Sequence, residues 1–236
     1  MTMIPRRRWL QGAGALLLTP GPAGAAETAM YDYLFLDLDD AKPGMTPPRA
    51  YAELVRSRAA GIGAAGGEIL GLFTPQLGWV ARQAALLVRW GPDAKGRDRE
   101  IAALIRNPVV RIGQRAQLEP TVRPATTERP RPGGIYVHRW FVVETPNVPE
   151  FLALSAQGWR DFETRFDTQI FGLFAAARSI DDKRGGLSRL LLITRYGDHG
   201  VWETSRDPAT EAMTTFAKRQ LLTRDTWAAS TLFVPI

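Results

Sequence analysis

From Met30 the apolar positions gather into MYDYLFLDL, a run whose two sides alternate imperfectly and which predicts a β-strand. A polar turn, DDAKPG, follows it. A helix is expected to open near Thr46-Pro47, because Thr is a good N-cap and Pro is tolerated in the first turn. Tyr51, Leu54, Val55 and Ile62 then recur at helical spacing, and Gly66-Gly67 closes the element. EILGLFT and AALLVRW predict two strands joined by a turn around Gly78. REIAALIRNP predicts a short helix that stops at Asn107-Pro108.

The same order then returns. GIYVHRWFVVET predicts a strand, and VPEFLALSAQGWRDFETRF a helix with Phe151, Leu154, Trp159, Phe162 and Phe166 along one face. QIFGLFAAA and LSRLLLITRY predict strands and repeat the Gly-Leu-Phe core and the closing Arg-plus-aromatic of the first half. Asp207-Pro208 is expected to start another helix, with Met213, Phe216 and Leu221 inward, and WAASTLFVPI to close as a strand. Each half reads as β-α-β-β-α-β, the ferredoxin-like unit. One such unit covers one sheet face with its helices and leaves the other bare, so a second unit laid against it completes the core. The expected fold class is α+β: a tandem duplication whose two antiparallel sheets pack as an α+β barrel. The first copy spans 30–117 and the second 135–236, with a Pro-rich linker at 118–134 that contains EPTVRPATTERPRPGG.

The first 25 residues stand apart from this pattern. Arg6 and Arg7, one further residue, Trp9-Leu10-Gln11, a short apolar stretch and Ala23-Gly24-Ala25 resemble a cleavable twin-arginine export signal. The implied localisation is periplasmic or secreted. The apolar stretch is too short to span a bilayer, and no other segment approaches a membrane span. Removing Arg6, Arg7 and Arg8 lowers the formal net charge from +6 to +3. The remaining basic residues are scattered among acids, so a nucleic-acid partner is not expected. The chain has no cysteine, which excludes disulfides, thiolate zinc sites, iron–sulfur clusters and cysteine nucleophiles.

Several short motifs resemble the NIPSNAP family of the dimeric α+β barrel superfamily. Gly71-Leu72-Phe73-Thr74, Gly78 and ALLVRW are similar to that family's Gly-x-Phe turn and the strand after it. REIAALIRNP is similar to its Arg-rich helix and Asp-Pro, and Ile135-Tyr136 with Arg139 and Phe141 to its opening strand. Gln76, Ala81 and Val137 depart from the family pattern, so part of any polar cluster the family shares is absent. The resemblance implies the fold more than a reaction.

Candidate chemistry is sparse. With two histidines, a multi-histidine metal site cannot be built. By period two, His138 shares a face with Tyr136 and Trp140, and Arg139 with Val137 and Phe141. The resemblance implies Arg139 between the sheets, whereas the aromatic-polar mix favours His138 there, and the sequence leaves both open. His199, beside Asp198, is expected in a Gly-flanked turn. Arg89-Trp90 and Arg195-Tyr196 hold equivalent places, where an Arg serves either as a carboxylate fork or as an edge ion pair. Asp37, Asp39 and Asp40 read as turn and capping residues. No nucleophile elbow, phosphate loop or zincin motif occurs. Trp140, Trp159 and Trp202 either fill the core or wall an apolar pocket.

The expected function is binding of a small apolar ligand or a protein partner, without a tightly held cofactor or metal. His138, Arg139 and Arg195 are its polar anchors, Trp140, Trp159 and Tyr196 its walls, and His199 lies nearby. The alternative is a cofactor-independent monooxygenase-like or haem-binding enzyme of the same superfamily, with haem on His138 or His199. A homo-oligomer is expected.

Overall fold

A computed structural model describes residues 29–39, 45–125 and 127–236; the expected signal peptide and Asp40 lie outside them. The first copy runs β1 (Met30–Leu38), α1 (Pro47–Ala64), β2 (Gly67–Leu77), β3 (Gln83–Trp90), α2 (Arg97–Ile105) and β4 (Val110–Arg123). The second runs β5 (Ile135–Glu144), α3 (Val148–Arg165), β6 (Thr168–Ala176), α4 (Ile180–Arg184), β7 (Leu187–Tyr196), α5 (His199–Thr204), α6 (Glu211–Gln220) and β8 (Thr223–Val234). The duplicated ferredoxin-like architecture expected from the hydrophobic pattern is present. All eight strands close into one barrel, in the order β1-β3-β2-β8-β5-β7-β6-β4. The copies join edge to edge: β2 pairs with β8, and β4 with β6, both antiparallel. Closure leaves no strand edge open within the barrel.

The repeat is accurate to single residues. Trp90 lies opposite Met30, and Tyr196 opposite Ile135, so β1 and β5 align with Tyr33 matching His138 and Leu34 matching Arg139. Both Gly-Leu-Phe cores carry a register shift at the glycine, between Ile69 and Gly71 and between Ile170 and Gly172. Neither glycine has room for a Cβ: at Gly71 it would meet the Phe233 ring at 2.2 Å, and at Gly172 the Phe174 ring at 2.6 Å. Such a bulge re-aims the following pair. Leu72 and Leu173 face their own helices, while Phe73 and Phe174 enter the barrel. There each reaches the other copy, with Phe73 against Tyr136 at 5.3 Å between ring centroids and Phe174 against Tyr31 at 5.0 Å. The lumen is thus a shared aromatic core, flanked by a separate helix-covered layer in each copy.

Three local expectations change. β4 runs to Arg123, into the stretch read as linker, because its edge partner β6 supplies hydrogen bonds that a local reading does not see. α6 begins at Glu211, with the Thr210 hydroxyl accepting from the Met213 amide at 3.3 Å. Asp207 instead accepts from the Ala209 amide at 2.9 Å in the preceding turn. Leu221, placed inward by helical period, lies beyond the end of α6 and is 86% exposed. No described helix is long and apolar enough to cross a membrane.

Candidate functional site

Strand β5 separates the predicted anchors onto its two faces. Tyr136, His138 and Trp140 point into the lumen, and Val137 and Phe141 into the layer beneath the second copy's helices. Arg139 shares that second face. His138 is buried, and its Nδ1 lies 3.0 Å from the hydroxyl of Tyr33, its own counterpart in the first copy. The rings of Phe73, Trp79 and Tyr33 stand 4.5, 5.5 and 5.6 Å from the imidazole, centroid to centroid. Desolvation lowers the His138 pKa to about 3, so the ring is neutral, and burial holds the Tyr33 hydroxyl protonated. Nε2 of His138 has no hydrogen-bond partner among the described residues.

Haem on His138 does not fit this arrangement. An axial imidazole needs a flat opening alongside its free nitrogen, and aromatic rings in contact wall His138 on several sides. His199 is exposed at the first position of α5, where Asp198 caps the helix by accepting from the Val201 amide at 2.8 Å. This is a helix start, not the turn expected from the flanking glycines. Among the described residues, no three His, Asp or Glu side chains gather as a metal site.

The second copy's sheet–helix layer holds the more unusual chemistry. A cavity of about 30 Å³ is lined by Arg139 of β5, Trp159 and Phe162 of α3, Tyr196 of β7, Arg206, and Phe216 and Arg219 of α6. Arg206 donates to the Tyr196 hydroxyl at 2.6 Å and lies over the rings of Phe162, Tyr196 and Trp202. Arg219 is 7% exposed, donates to the Ser155 hydroxyl at 3.2 Å and sits 4.6 Å above the Phe216 ring. The Nε atoms of Arg206 and Arg219 are buried without partners, and Arg139 has no hydrogen bond or ion pair among the described residues. Burial first, then the charges of Arg139 and Arg206, lowers the Arg219 pKa to about 9. Burial also lowers that of Arg139 and raises that of Tyr196, the latter against the pull of the neighbouring guanidiniums. Among the described residues, no carboxylate lines this cavity.

The remaining predicted residues lie elsewhere. Trp140 stacks on Trp227 at 6.2 Å in the lumen. Arg195 donates to Asp167 at 2.9 Å and to the Gly133 carbonyl at 3.1 Å, and its counterpart Arg89 pairs with Glu68. Both tie strand ends to neighbouring chain. Asp37 pairs with Arg82 at 2.6 Å and with Arg111. Of the expected anchors and walls, the structure brings together Arg139, Trp159 and Tyr196, and puts His138 and Trp140 in a different compartment. Sequence reasoning missed Arg206, Arg219 and Tyr33. Arg219 follows the buried Ala212 and Thr215 at helical spacing, a signal present in the chain; Arg206, in the turn after α5, leaves none.

No family model and no curated protein matches this chain. Solved structures do match in fold. A protein assigned as a monooxygenase from Lactobacillus acidophilus superposes with a TM-score of 0.55 at 12% identity, covering 88% of this chain and 94% of its own. A variant of chlorite dismutase from Candidatus Nitrospira defluvii gives 0.57 at 8% identity, over 89% and 93%. A haem-binding protein from Thermus thermophilus gives 0.50 at 12% identity, over 92% and 95%. What the chain shares with all three is the fold, a ferredoxin-like α+β barrel.

Proposed function

We propose that this chain is an exported, NIPSNAP-like barrel that binds a small organic molecule in the sheet–helix layer of its second copy. The observation that carries the reading is the cavity beside Arg139, a half-buried guanidinium with no hydrogen bond or ion pair among the described residues, set among aromatic walls. The matching place in the first copy is taken by Leu34 in a closed apolar layer. Trp202, 38% exposed and stacked against Arg206, offers a ring for the part of the ligand that the cavity does not hold. Mostly apolar walls with a few convergent polar groups are the usual make-up of a ligand site.

Saturation-transfer NMR from the full chain to phenol tests this. Transfer to the ring protons is expected, and Thr194→Met, which extends a side chain into the cavity, should abolish it. Undiminished transfer in that variant would remove the site from the layer. A second reading, cofactor-independent oxygenation of the bound molecule, is favoured by the fold shared with a protein assigned as a monooxygenase and by the aromatic walls of the cavity. In that case the electron-rich ligand is itself the reductant of oxygen. Steady oxygen uptake with added phenols and no cofactor would support it, and none would leave binding alone.

A further inference from the structure

Three cations line one cavity with no acid among its lining residues, Arg219 buried and Arg139 and Arg206 half-buried, and they need an explanation. Taking a charged group out of water without a partner is costly, and the usual remedy is an ion pair. Two carboxylates of α3, the helix that supplies Trp159 and Phe162, are engaged elsewhere: Glu163 with Arg123 at 2.7 Å, and Asp161 with Arg165 and the Ala212 amide. Tyr196 cannot serve as the counter-ion, because burial keeps its hydroxyl protonated. Contacts with aromatic faces offset part of the cost for Arg206 and Arg219, and Arg139 has no such contact. The cavity between the three is about 30 Å³, roughly the room taken by two waters, which matches the two oxygens at the head of a small oxyanion.

We infer that this layer binds a small monovalent oxyanion, either the carboxylate head of an organic molecule or a free inorganic anion, held between Arg139, Arg206 and Arg219. This rests on the ligand-binding reading above and narrows it to the charge and size of the ligand. A planar oxyanion accepts paired N–H donors from guanidinium forks, the geometry in which Arg exceeds Lys. Among the described residues, the Nε–H groups of Arg206 and Arg219 and the guanidinium of Arg139 are donors without an acceptor.

Acetate and acetamide are nearly the same size, and each carries one methyl group that reports by saturation transfer. With the full chain, the acetate methyl is expected to respond several-fold more strongly than the acetamide methyl. Arg139→Met and Arg219→Met should each weaken acetate binding by at least about tenfold, as loss of one charge-assisted contact implies. Near-UV circular dichroism of the same variants, unchanged from the parent chain, shows that the layer is still folded. Nitrate separates the two sources: displacement of acetate at equal concentration shows that an inorganic oxyanion suffices, and failure to displace it points to a carboxylate, both supporting the inference. Equal response of acetamide and acetate, or acetate binding unchanged in both variants, overturns it. If phenol binds while acetate does not, the oxyanion inference falls and the broader reading stands; if neither binds, both fall.

Discussion

His138 is polar, buried and sparsely paired, set among aromatic rings in the lumen. Its single hydrogen bond is to Tyr33, and the two are counterparts in the repeat that meet across the lumen. The folded pKa is about 3 against an ordinary value of 6.5, so the folded protein refuses a proton that the unfolded chain accepts in between. Stability from this group is therefore full above pH 6.5 and is lost as the pH falls through the window towards 3. From about pH 6.5 down to about 5, above the usual carboxylate range, the unfolding free energy from urea titrations should fall with a slope of up to about 1.4 kcal/mol per pH unit. His138→Phe should flatten that slope, and an unchanged slope would mean that His138 is accessible to protons in the native state. That His138 is polar inside an apolar run is legible in the sequence. That it faces the lumen is not, because period two says which residues share a face and not which face is inward.

At the scale of elements, caps and periods are legible where they are local. α1 starts at Pro47 behind Thr46, and Tyr51, Val55 and Ile62 are buried along it. Expectation and structure part where a distant segment sets the outcome. β4 continues through Pro120 because β6 lies beside it, and α6 starts late because Asp207 is used in a turn. The start of β5 is a similar case: Gly134 has φ +75°, and a Cβ there would sit 2.2 Å from the Tyr196 carbonyl oxygen, a backbone atom that cannot swing away. Gly134→Ala should cost about 2–4 kcal/mol, the sum of left-handed strain and the clash. Gly133→Ala carries the strain alone, since φ is +73° and nothing lies within 4 Å, and should cost about 1 kcal/mol. Chemical denaturation of both variants measures the difference, and equal losses would show that the strand end gives way.

For the whole molecule, the shared lumen is the decisive feature. Phe73 on Tyr136 and Phe174 on Tyr31 bind each copy to the other, and so do the β2–β8 and β4–β6 ladders. Neither copy retains a complete core when separated. The full chain should therefore unfold in a single transition, with calorimetric and van't Hoff enthalpies in agreement. Two resolved transitions would show that the copies are independent domains.

Two copies, each β-α-β-β-α-β and each in need of the other, follow from the hydrophobic pattern alone. Burial of apolar area is encoded in composition and period, and both are local properties of a chain. The edge-to-edge closure of the copies, the meeting of His138 with Tyr33, and the convergence of Arg139, Arg206 and Arg219 exist only in the folded chain. Residues 67 and 80 positions apart in sequence become neighbours through strand pairing and helix packing, and no local spacing records such a meeting.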